Sequence, residues 1–60
     1  PLTYELIKEE GPDHAKVFTV EAKVGDLVIG QGVGSSKKAA EQEAAYQGIL
    51  YAHKQKDSVR

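Results

Sequence analysis

From Val17 to Val24 apolar and polar positions alternate. Phe18, Val20, Ala22 and Val24 fall on one side, and Val17, Thr19, Glu21 and Lys23 on the other. A period of two belongs to a strand with one buried face, so the first set is expected to face a core and the second solvent. A similar pattern from Thr3 to Lys8 predicts an earlier strand, with Tyr4 and Leu6 on one face and Glu5 and Ile7 on the other. The segment between them, Glu9-Glu10-Gly11-Pro12-Asp13-His14, is polar and is broken by Gly-Pro. Proline fixes φ and lacks an N–H, which predicts a loop of defined shape joining antiparallel strands. Gly25-Asp26 signals a tight turn, and Leu27 to Val33 returns as a third strand. Two registers fit. A two-residue loop sets Ile29 opposite Ala22. A three-residue loop sets Gly30 there and turns Val28, Gly30 and Gly32 toward the core. The second is preferred, because glycines beneath a helix permit close packing.

The period then changes. Lys37 to about His53 is rich in alanine and free of proline, which predicts a helix. Ala40, Ala44 and Gly48 share a stripe, with Ala45, Ile49 and Ala52 beside it. A stripe of small residues implies a helix lying close against a sheet. Gly48 costs a helix roughly 1 kcal/mol relative to alanine, so close contact is the expected reason for it. Tyr46, Leu50 and Tyr51 have no place in the stripe; they are exposed or covered by something outside this chain. Residues 54–60 read as a charged, frayed tail, so the domain is expected over 1–53. The outline is α+β: a three-stranded antiparallel sheet with a C-terminal helix across one face. One helix is thin cover for such a sheet, which points to a missing neighbour.

Composition narrows the function classes. Sixty residues make one small domain, and with no cysteine there is neither a disulfide nor a thiolate metal site. No apolar run approaches a membrane span, and no signal-peptide pattern opens the chain. The net charge of −1 argues against a strongly basic nucleic-acid binder, yet the charges are segregated. Glu5, Glu9 and Glu10 come early; Lys37, Lys38, Lys54, Lys56 and Arg60 come late.

Residues 30–45 concentrate the chemistry. Gly30, Gly32 and Gly34 leave a strand end bare, and Ser35 or Ser36 can cap the helix that follows. Lys37 and Lys38 then occupy the positive end of the helix dipole, an unfavourable place unless an anion arrives there. Other assignments fail on spacing. A phosphate-binding P-loop requires Lys and then Ser or Thr after its last glycine, but Gly34 precedes Ser35 and Lys37 precedes Lys38. A dinucleotide fingerprint fails at Ser35. Glu41 and Glu43 point to different helix faces and form no metal pair. His14 and His53 belong to no nucleophilic set, so no catalytic role is expected for any residue. Tyr4 and Phe18 lie on apolar strand faces and are expected in the core, which disfavours single-strand stacking.

Taken together, Tyr4-x-Leu6, Gly11-Pro12-Asp13-His14, Phe18-x-Val20 and the run from Gly30 through Ser36-Lys37-Lys38 to Ala44-Ala45 resemble the double-stranded-RNA-binding domain. The version at the C-terminus of bacterial ribonuclease III is the most similar. The resemblance covers about Pro1 to Leu50. It implies an α-β-β-β-α fold with both helices on one sheet face, and three grips on a duplex. The first helix would enter one minor groove. The loop holding Pro12, Asp13 and His14 would enter the next, with the Pro12 backbone and His14 imidazole near ribose hydroxyls. Ser36, Lys37, Lys38 and the helix N-terminus would meet phosphates across the major groove.

Two departures accompany it. The family's first helix has no counterpart here, and Glu41 stands where many eukaryotic relatives carry a third basic residue. The salt dependence is therefore expected to be shallow, roughly 2 to 3 released ions. The resemblance further implies a substrate-binding module of a ribonuclease III endoribonuclease acting in the cytoplasm, with ribosomal RNA among its substrates. No cofactor is expected in this chain. Mg²⁺, cleavage and homodimerisation would belong to a separate nuclease domain. The alternative is a module of the same fold that binds protein through Leu50 and Tyr51. The retained His14, Lys37 and Lys38 disfavour it.

Overall fold

A computed structural model describes residues 1–58, with side chains through Lys54. Strands β1 (Leu2–Glu10), β2 (Val17–Val24) and β3 (Leu27–Gly34) precede a single helix, α1 (Lys37–Ser58). The sheet is antiparallel in the order β1-β2-β3, so β2 is central. This is the expected α+β arrangement. The first strand is longer than the predicted Thr3 to Lys8, and it takes up Glu9 and Glu10 from the predicted loop.

At the seam between β3 and α1 the strand and helix backbones come into close contact. Gly34 lies under Ala39 and Ala40, Gly32 under Ala40 and Ala44, and Gly30 under Ala44 and Gly48. The spacing follows from geometry. Two strand residues advance about 6.6 Å and four helix residues about 6 Å, so the two rows stay in step over three repeats. A Cβ on Gly30 would sit 2.5 Å from the Ala44 carbonyl oxygen, and one on Gly34 2.7 Å from the Ala40 amide nitrogen. At Gly32 a Cβ would collide with backbone atoms of both Ala40 and Ala44. Val20, Ala22, Ala40 and Ala44 are completely buried at this seam, with Phe18 and Ile29 packed against them.

The β2–β3 hairpin reaches the preferred register by another route. Gly30 does pair with Ala22, but the connection is a two-residue turn closed by Val24 and Leu27. A bulge between Lys23↔Val28 and Ala22↔Gly30 absorbs the extra residue, Ile29. Ile29 therefore joins the core while Val28 stays 43% exposed, contrary to the inward placement expected for Val28. A second bulge places Ile7 between the pairs Leu6↔Val20 and Lys8↔Thr19.

Other core expectations give way where the helix ends its cover. Val24 is exposed at the hairpin end of β2. Tyr4 and Leu6 pair with Ala22 and Val20 and so share the helix-facing side. They remain exposed nonetheless, because α1 lies over β3 and β2 and leaves β1 open. Tyr4 is thus not the core aromatic its strand position suggests. Between β1 and α1 runs an apolar groove of about 330 Å³, with Leu2, Tyr4, Ile29, Ala45 and Ile49 among its walls. No glycine or proline stops α1, and it continues past the expected end at His53 to Ser58. The remainder of the expected tail, residues 59–60, lies outside the described residues.

Candidate nucleic-acid interface

The loop after β1 is shaped by its first residues. Gly11 has φ of 98°, and a Cβ there would collide with the Ala15 carbonyl oxygen. Only glycine meets both conditions without strain. The Ala15 amide donates to the Pro12 carbonyl at 2.9 Å, closing a four-residue turn with Asp13 and His14 at its tip. Both tip side chains are exposed. Lys16, at the far side of the turn, reaches back to the Glu9 carboxylate at 2.5 Å and stands 3.9 Å from that of Asp13.

The helix start is built by Ser36. Its hydroxyl accepts from the Ala39 amide at 3.1 Å, and its carbonyl accepts from the Ala40 amide at 3.0 Å. Ser36 is therefore the N-cap, and Lys37 and Lys38 are the first two helical residues. The first turn holds no acidic residue, and both lysines are exposed. Among the described residues, Lys8, Lys16 and Lys23 each have a carboxylate partner, whereas Lys37 and Lys38 have none. Glu41 follows Lys38 at helical spacing without pairing to it. Uncompensated cations thus stand where the helix dipole is also positive, a combination that attracts phosphate.

Strand direction brings these features to one end. Glu10↔Val17 closes β1 onto β2, and Phe18↔Gly34 closes β2 onto β3. The turn after β1 and the helix start after β3 therefore leave the sheet at the same end, on either side of β2. Two strand spacings separate β1 from β3, about 10 Å. Pro12, Asp13 and His14 lie on one flank, and Ser36, Lys37 and Lys38 on the other. His53 stands sixteen helical residues from Lys37, about 24 Å along α1, and takes no part. Among the described residues no cluster of three His, Cys, Asp or Glu could hold a metal ion. No helix there is long and apolar enough to cross a membrane. The ion pair from Lys16 to Glu9 is not legible in the sequence, because the partners are seven positions apart and only the strand register brings them together.

A sheet backed by one helix, with a hydrogen-bonded turn and an unpaired lysine pair at one end, defines a small module for a polyanionic ligand with a hydrogen-bonding groove. The chain belongs to the double-stranded RNA binding motif family, whose sequence profile matches residues 1–52. It is 52% identical over 48 residues to Ribonuclease 3 of Caldanaerobacter subterraneus subsp. tengcongensis, a match covering 80% of this chain and 21% of the relative. Ribonuclease 3 of Natranaerobius thermophilus is 50% identical over 46 residues, 77% of this chain and 20% of the relative. That of Carboxydothermus hydrogenoformans is 45% identical over 56 residues, 93% and 24%. The chain thus spans about a quarter or less of the length of these relatives.

Proposed function

We propose that this chain grips double-stranded RNA by shape, as the substrate-binding module of a ribonuclease III endoribonuclease. The observation that carries the reading is the pairing of two features at one sheet end: the unpartnered Lys37 and Lys38 at a capped helix start, and the turn bearing Pro12, Asp13 and His14. Phosphates of the major groove approach the lysines and the free amides of the first helical turn. The His14 imidazole and the Pro12 carbonyl offer hydrogen bonds to 2′-hydroxyls in a minor groove, and Asp13 offers an acceptor. Both features leave the same end of the sheet, so one duplex can meet both, and contacts to 2′-hydroxyls favour RNA over DNA.

Cleavage, Mg²⁺ and homodimerisation are assigned to a nuclease domain elsewhere in the parent protein, with processing of structured RNA such as ribosomal precursors in the cytoplasm as its work. The apolar groove beside Tyr4 suits a further helix ahead of β1, which would supply the third grip. A protein-docking reading draws on a separate cleft where Gln31, Gln47, Leu50, Tyr51 and Lys54 meet. The lysine pair and the His14 turn play no part in that cleft.

The test is binding to RNA and DNA duplexes of one sequence across a salt series. Replacing Lys37 and Lys38 together by alanine lowers RNA affinity about 30-fold near 0.15 M salt and removes up to about two released ions from the salt slope. His14→Ala lowers RNA affinity and narrows the preference for RNA over DNA. Unchanged affinity in the lysine variant would exclude the phosphate role. Equal loss on both duplexes in the His14 variant would exclude the hydroxyl contact.

A further inference from the structure

We infer that Glu9 and Lys16 form a positioning pair that holds the His14 turn in its binding shape and keeps the Glu9 carboxylate from opposing phosphates. The inference rests on the duplex-RNA reading above and extends it to two residues that need touch no nucleotide. Glu9 is the second-last residue of β1, and Lys16 immediately precedes β2, so their contact crosses the neck of the loop. Within the loop, one backbone hydrogen bond, from Ala15 to Pro12, defines the turn. Gly11 sets where the chain leaves β1, and the pair ties that departure to the return.

The pair is also better sheltered than its neighbour. Side-chain exposure is 33% for Lys16 and 40% for Glu9, against 60% and 64% in the Lys8–Glu10 pair. Lys16 alone among the described lysines stands near two carboxylates, because Asp13 at the turn tip lies 3.9 Å from its ammonium.

The register adds the second half of the argument. Glu9 is directly opposite Phe18, and Phe18 is directly opposite Gly34, which lies beneath the first turn of α1. Glu9 therefore stands on the helix-facing side of the sheet, at the end where Lys37 and Lys38 await an anion. Bare, its charge would repel phosphate there. Paired with Lys16, it becomes a strut.

Electrostatics alone and positioning predict opposite signs for Glu9. Deleting a carboxylate beside a phosphate site strengthens binding if charge is all that matters; it weakens binding if the pair shapes the turn. The experiment compares the intact chain with Glu9→Ala, Lys16→Ala and the exchange Glu9→Lys with Lys16→Glu. Two measurements are made: heteronuclear NOEs of the Asp13, His14 and Ala15 amides without RNA, and duplex RNA and DNA affinity across a salt series. Both single variants are expected to lower those NOEs and to weaken RNA binding about two- to fivefold, with less preference for RNA over DNA. The salt slope should match that of the intact chain, and the exchange should restore turn order and most of the affinity. Tighter binding by Glu9→Ala with an unchanged turn overturns the inference. So does a slope lowered by about one ion in Lys16→Ala, which would make Lys16 a phosphate contact. The NOEs are read without RNA, so an ordered turn in a chain that binds no RNA would count against the duplex reading and leave the strut intact.

Discussion

The two edges of the sheet are held by different physics. On β3, Gly30, Gly32 and Gly34 let the helix backbone settle directly onto the strand, and no side chain larger than alanine intervenes. On β1 all nine residues are exposed, and that strand is kept in place by its ladder to β2 and by surface ion pairs such as Lys23–Glu5 at 3.3 Å. Surface pairs contribute little each, roughly 0 to 1 kcal/mol. Rigidity is thus concentrated at the seam that orients the lysine-bearing helix start. The edge that carries the His14 turn is locally loose and takes its shape from Gly11, Pro12 and the Lys16 contact.

This contrast can be broken most forcefully at Gly32. Gly32→Ala drives a methyl into helix backbone, and a loss of more than about 3 kcal/mol is expected, enough to unfold a chain this small. Thermal unfolding followed by circular dichroism measures it. If the variant melts with the intact chain, the seam does not hold the fold. Tyr4→Ser on the open side is expected to cost about 1 kcal/mol or less by the same measurement, since 41% of the residue is already in water. The Tyr4 cost should rise in a protein extended upstream by its natural sequence, if a helix fills the groove.

Ser36→Ala removes the cap and is expected to cost about 1 kcal/mol, with the Ala39 amide exchanging faster with solvent. The smallest effect belongs to Gly48→Ala. A Cβ there meets only the movable end of Ile29, at 3.1 Å, against a helix-propensity gain of at most about 1 kcal/mol. A net change within about 0.5 kcal/mol is expected from chemical denaturation. A large loss would mean that Ile29 cannot move and that the seam extends a full turn further.

The seam was readable in advance because both of its periods are written plainly: glycines two apart, small residues four apart. What escaped was set by partners rather than by pattern. Alternation along β3 pointed Val28 inward, and a bulge at Ile29 reversed it; a bulge changes no residue type, so alternation cannot reveal it. Tyr4 and Leu6 had the right face for burial, but burial needs a covering element as well as a face. The helix end beyond His53 is not legible, because residues 54–58 carry neither a stop signal nor an apolar stripe to mark continuation. The lysine pair stood out locally, as charges at the wrong end of a dipole. Its convergence with the turn depended on strand direction, and the contact between Glu9 and Lys16 on exact register.

The commensurate rows of β3 and α1 also constrain how this segment can change length. Deleting one residue between Gly30 and Gly34 would rotate the remaining glycines away from the helix and push a branched side chain against Ala40 or Ala44. Only paired edits, two residues in the strand matched by about one turn of helix, would preserve the fit. Variation in length among functional descendants of this chain should therefore fall in the connecting segments and at the distal helix end, sparing the interlock.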